Sequence, residues 1–121
     1  MTVNVDTLSG RDLDAMVAQH VFGLHIERRA NSRTGERDFL YGVHPGQWVR
    51  VPFYGASMGA SITVEVEMLK RGWKRIVLAT VQRKAPNDAH VVLVHSDGRT
   101  VSAAGLLNEA LCRAALKAMA M

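Results

Sequence analysis

The chain is poor in the residues that build secreted scaffolds. Its one cysteine, Cys112, has no intramolecular partner, so no internal disulfide braces the fold. Aromatics are scarce as well, at two Trp, two Tyr and three Phe, which leaves Val, Leu, Ile, Ala and Met to fill a core. No apolar run approaches the roughly 20 residues that span a bilayer, so no membrane association is expected. The opening Met1–Asp6 has neither a basic start nor an apolar h-region, and so does not read as a secretory signal. With the lone thiol, this points to a reducing cytoplasm. G-x-S-x-G, Walker-type and G-x-G-x-x-G patterns are all missing, so the nucleophile-elbow and phosphate-loop enzyme classes lose their usual support.

Metal chemistry lacks its spacing too. His90 and His95 are five apart and would point to opposite faces of one strand. His20 is expected on the apolar side of a helix, His25 in a strand and His44 beside a turn. Cys112 falls in a helix seam, where a thiol behaves as a small inert apolar group. The expectation is a protein that is not an enzyme, with no metal, no cofactor and no catalytic residue.

What is present describes an ordinary single domain, residues 1–121. The 121 residues are 48% hydrophobic and 21% charged, enough for one core, and the net charge of +4 favours anionic partners. Ser9 with Asp12 three residues on reads as a capping box, Leu8 and Leu13 as a hydrophobic staple, and Leu13, Met16, Val17, His20 and Val21 as a helical stripe closed by Gly23. Arg28–Arg37 reads as an exposed loop or hairpin tip, Asp38–Val43 as a short strand, His44-Pro-Gly46 as a turn, and Trp48–Pro52 as alternating and extended.

The spacing predicts a second helix over Ser57–Arg71, with Met58, Ile62, Val66 and Leu69 as its buried stripe and Gly72 as its stop. Strands follow at Arg75–Arg83, His90–His95 and Arg99–Val101, joined by a loop at Lys84–Ala89 and a turn at Ser96–Gly98, to form an antiparallel meander. Gly105 separates that sheet from a last helix over Leu107–Met121. There Leu107, Leu111, Ala114, Ala115 and Ala118 share one side, and Asn108, Glu109, Arg113 and Lys117 can face water. So apolar and alanine-rich a helix suggests self-association, and a homo-oligomer is expected.

Three segments carry a family resemblance. Leu8-Ser-Gly-Arg-Asp-Leu-Asp-Ala-Met-Val-Ala18, Pro52-Phe-Tyr54 with the helix closing in Leu69-Lys-Arg-Gly-Trp73, and Ala110-Leu-Cys-Arg-Ala-Ala-Leu116 resemble, in order, the three helices of the phage α/β/α (ABA) sandwich domain family. They cover most of the chain outside residues 28–47. Relatives often carry Ser-Thr-Asp after the tyrosine, where this chain has Gly55-Ala56-Ser57. The resemblance implies phage or prophage origin, action in the host cytoplasm and an antiparallel sheet covered by helices. No established activity comes with it. The expected class is thus α+β, an antiparallel β-meander packed against three helices in an α/β/α sandwich-like arrangement.

Basic residues offer the one candidate site. Arg28, Arg29, Arg33 and Arg37 concentrate in the first polar stretch, offset in part by Glu27, Glu36 and Asp38. Lys70, Arg71, Lys74 and Arg75 gather around Trp73, and Arg83 and Lys84 open the later loop. Such clusters are either a solvated rim with helix ends matched to their dipoles or an anion site in which guanidinium groups clamp phosphate and an aromatic stacks a base. Trp48, Tyr54 or Trp73 could supply that platform, and Ser57, at a helix start after a glycine, could add backbone N–H donors. The leading expectation is a non-catalytic accessory protein binding an anionic nucleotide or a host protein. The other is a structural or assembly protein, or a nucleic-acid-binding regulator.

Overall fold

Helix α1 (Gly10–His20) opens the fold after a 3-10 turn at Val5–Thr7, and it stops at Gly23, whose φ of +68° suits a residue without Cβ. Leu24 N–H donates to the Ala18 carbonyl across that stop at 3.0 Å. Ser9 holds the N-cap position, but its hydroxyl makes no capping bond, so the expected capping box is not formed. Leu8 and Leu13 both reach the core, as the staple requires. The computed structural model describes residues 4–30, 34–44, 46–79 and 88–121.

Two hairpins follow. Strands β1 (Ile26–Ala30), β2 (Arg37–His44) and β3 (Gln47–Arg50) form antiparallel sheet A in the order β1-β2-β3. Arg28 and Arg29, expected in a loop or hairpin tip, therefore lie in a strand, with Arg29 opposite Asp38 and Arg28 opposite Phe39. Strand alternation turns Ile26, Phe39, Tyr41 and Val51 toward the core and leaves the other face open.

Helix α2 (Met58–Lys70) leads to sheet B, the antiparallel meander β4 (Trp73–Ala79), β5 (Asp88–His95) and β6 (Thr100–Leu106), which runs without a loop into helix α3 (Leu107–Met119). The class is α+β with three helices, as the sequence implies, although the strands form two three-stranded sheets among the described residues. The expected loop at Lys84–Ala89 lies mostly outside them, as do Arg83, Lys84 and Arg33.

Helix α3 is the centre of the molecule. Ala110, Leu111, Cys112, Ala114, Ala115, Leu116 and Ala118 are all buried, and the helix packs at once on β5, β6, α1 and α2. Four alanines let these neighbours approach closely. Its polar side chains are committed as well. Arg113 donates to the carbonyls of Leu8 and Ala104 and pairs with Glu109, Lys117 reaches the Ser102 carbonyl and Asp6, and Asn108 accepts from Ser61. Arg113 and Lys117 thereby satisfy carbonyls along β6, an edge strand. The apolar faces that suggested self-association are occupied within the domain. Gly105 belongs to β6 at φ +136°, where a Cβ would sit 2.6 Å from an Arg113 guanidinium nitrogen.

The stripe predicted for α2 is reversed. Ser61, Val64 and Met68 are its buried side, and Met58, Ile62, Val66 and Leu69 are exposed. This helix is apolar on both sides, and the demand of α3 for a partner decides which side turns in. His20 likewise faces out, because α1 buries Leu13, Asp14, Val17 and Ala18 instead.

Candidate anion-binding site

A hollow of about 350 Å³ opens on the solvent side of sheet A, where Arg11, Arg29, Arg37, Arg50, Asp38 and Phe53 converge. The alternation of β1 sends Glu27 and Arg29 to this face and Arg28 to the other. Arg50 joins from β3 and Arg37 from the start of β2. Arg11 comes from the first turn of α1, 27 residues before its partner Asp38.

Arg11 is the organising residue. Its Nε donates to Asp38 Oδ1 at 2.9 Å, one terminal nitrogen to Asp14 Oδ2 at 2.8 Å, and the other to the Val51 carbonyl at 2.7 Å. The guanidinium lies 4.0 Å above the Phe53 ring. Asp14, buried inside α1, also accepts from the Gly55 N–H at 2.9 Å, so one ion pair ties α1, the end of β3 and the approach to α2 together. A pair of this kind meets the cost of burial through its full set of hydrogen bonds.

Asp38 stands between Arg11 and Arg50, the second at 3.2 Å, and accepts the Phe39 N–H at 2.8 Å. Burial alone would raise its carboxyl. The Arg11 and Phe39 hydrogen bonds and the two guanidinium charges outweigh that and hold it below the usual carboxylate range. Four guanidinium groups therefore face two carboxylates around the hollow, Asp38 and Glu36, and Asp38 is already bridged. The Arg37 side chain has no ion pair or hydrogen bond among the described residues. Arg29 is held by Glu27 at 3.1 Å and lies 4.4 Å over the Trp48 ring, which leaves its outer edge open. An anion entering here meets Arg37 and the free edges of Arg29 and Arg50, with the Trp48 indole behind Arg29.

The sequence-predicted residues divide sharply. Arg29 and Arg37 line the hollow, and Trp48 lies beneath Arg29 at its side. Arg28 is on the opposite face, 5.9 Å over Phe39 in a separate groove beside Met16 and Ile26. Tyr54 is 4% exposed and stacked on Phe22 at 5.3 Å, and its hydroxyl is pushed up to about 12, first by burial and then by Tyr41, Cys112 and Asp14. Trp73 is also 4% exposed, edge-on to His95 at 5.0 Å with Arg99 above it. No base can stack on either ring without opening the core. Ser57 accepts from the Ala60 N–H as the N-cap of α2. Arg71 and Arg75 are paired with Glu67 and Glu65, so the two arginines of the cluster around Trp73 are engaged within the fold.

Sequence reasoning missed Arg11, Arg50 and Phe53. One signal was available for the first: Arg11 and Asp14 stand three apart on a helix, and Asp14 interrupts an otherwise apolar face. Among the described residues no three His, Cys, Asp or Glu side chains gather as metal ligands. The Cys112 thiol is pushed up to about 12, first by burial and then by Asp14 and Glu109. No helix is long and apolar enough to cross a membrane among the described residues. Comparison with known proteins finds no matching family model, no similar curated protein and no similar solved structure.

Proposed function

We propose that this chain is a non-catalytic, phage-encoded accessory protein that sequesters an anionic nucleotide, such as a signalling molecule of host immunity, in the host cytoplasm. The observation that carries the reading is the convergence of Arg29, Arg37 and Arg50 on one open hollow, with Trp48 packed against Arg29 beside it. Guanidinium groups with free edges suit the paired oxygens of a phosphate, and an indole beside them suits the flat face of a base. The volume of about 350 Å³ lies at the lower end of small-ligand sites. The phage origin is supported by the three helical segments quoted above.

Calorimetric titration with nucleoside phosphates and cyclic dinucleotides tests it. Arg29→Ala and Arg37→Ala are each expected to weaken binding roughly ten-fold, the scale of one charge-assisted hydrogen bond, with the circular dichroism spectrum unchanged. Equal heats for wild type and both variants would remove the hollow from any ligand site.

A second reading has one observation in its favour. Trp48, Arg29 and Arg50 lie on the solvent face of a three-stranded sheet, an arrangement on which single-stranded nucleic acid can stack. A nucleic-acid-binding regulator would lose affinity steeply as salt is added, whereas a compact nucleotide would do so far less.

A further inference from the structure

Helix α2 presents Met58, Ile62, Val66 and Leu69 to solvent along one side, at 66%, 51%, 44% and 52% exposure. Among the described residues nothing covers them. Met58 shares a hollow with Leu106, itself half exposed, so the patch continues onto the end of sheet B. Together these side chains expose on the order of 500 Å² of apolar surface, within the size range of the largest patch on a soluble domain, which is often functional.

We propose that α2 is the seam of a homodimer, in which a second copy of this chain lays its own α2 antiparallel along this stripe. The spacing is the reason. Steps of four, four and three residues read almost alike in both directions. A two-fold axis between Ile62 and Val66 therefore sets Ile62 on Val66 of the partner subunit and Met58 on Leu69 of the partner subunit, an isologous contact. Gly59 flanks the stripe and lets the helices approach. The pair would bury on the order of 1,000 Å² of apolar surface, the lower bound for a specific interface. An anionic lipid surface is the weaker fit. Two of the flanking residues are Glu65 and Glu67, already paired with Arg75 and Arg71, and Lys70 is the one cation on the exposed side of the helix itself.

The solution mass of the wild-type protein, measured by light scattering and sedimentation over a roughly hundred-fold concentration range, tests this. Twice the chain mass is expected, with an unfolding midpoint that rises with concentration. Ile62→Glu should halve the mass and keep the circular dichroism spectrum, since the position already faces water in a single copy. Ile76→Glu, on the outer face of sheet B, should leave the dimer intact. A single-chain mass throughout overturns the proposal, and so does a dimer that survives both Ile62→Glu and Val66→Glu. Loss of the dimer in Ile76→Glu moves the seam to sheet B and overturns it too. A monomer that adsorbs to phosphatidylglycerol vesicles through Ile62 overturns it in favour of a lipid surface. None of these outcomes depends on nucleotide binding.

Discussion

Sheet B turns Val91, Leu93 and Ala103 inward against α3, and these side chains have almost no solvent contact. Sheet A has the same strand count and the same antiparallel order, yet its outer face carries Arg29, Asp38, Trp48 and Arg50. Sheet B is held by packing on α3, whereas sheet A adds to the core contacts of Ile26, Phe39 and Tyr41 an ion-pair network on its outer face that Arg11 and Asp14 anchor at its end. A face held by packing has little freedom to exchange partners, because each side chain touches others at interior density. A face held by guanidinium groups with open edges can accept a further anion without disturbing the core. The division of labour between scaffold and site follows from that contrast.

The largest expected effect lies in the scaffold. Leu93→Ala should cost about 3 kcal/mol in urea unfolding, whereas Leu40→Ala, on the open face of sheet A, should cost below about 1 kcal/mol. Equal losses would erase the distinction between the sheets. Next comes the anchor: Asp14→Ala leaves Arg11 without its buried partner and the Gly55 N–H without its acceptor. A loss of about 2 kcal/mol is expected, with β3 and residues 51–55 gaining hydrogen exchange first.

The smallest effect is the acid limb of Asp38. Its folded carboxyl is depressed, so the stabilisation is present above the unfolded value of about 3.9 and fades as pH falls through the lower folded value. Stability measured downward from about pH 5 should therefore fall less steeply in Asp38→Asn than in wild type. An identical slope would show that the Arg11–Asp38–Arg50 bridge contributes nothing measurable.

The parts of the fold legible in sequence are those marked by periodicity or by a stop signal. The apolar seam of α3, the Gly23 end of α1, the Gly72 end of α2 and the turns of the sheet B meander each carry one or both. α2 was read inside out because Ile62 and Val66 are as apolar as Val64 and Met68, and only the alanine-lined surface of α3 selects between them. The site was half legible for a related reason. Arg29 and Arg37 stand close in sequence, while Arg11 reaches Asp38 from 27 residues away on α1 and Arg50 from the neighbouring strand, pairings that no local pattern reveals. Trp48, Tyr54 and Trp73 look alike as letters, and burial alone separates the one platform from the two core rings.

Native mass spectrometry of protein gently purified from its expressing cells, wild type beside Arg29→Ala/Arg37→Ala, tests the central claim most directly. A nucleotide-sized adduct on the wild type that is absent from the folded double variant is the predicted result. An adduct that persists on the variant, or a wild type that neither carries nor takes up a nucleotide, would contradict it.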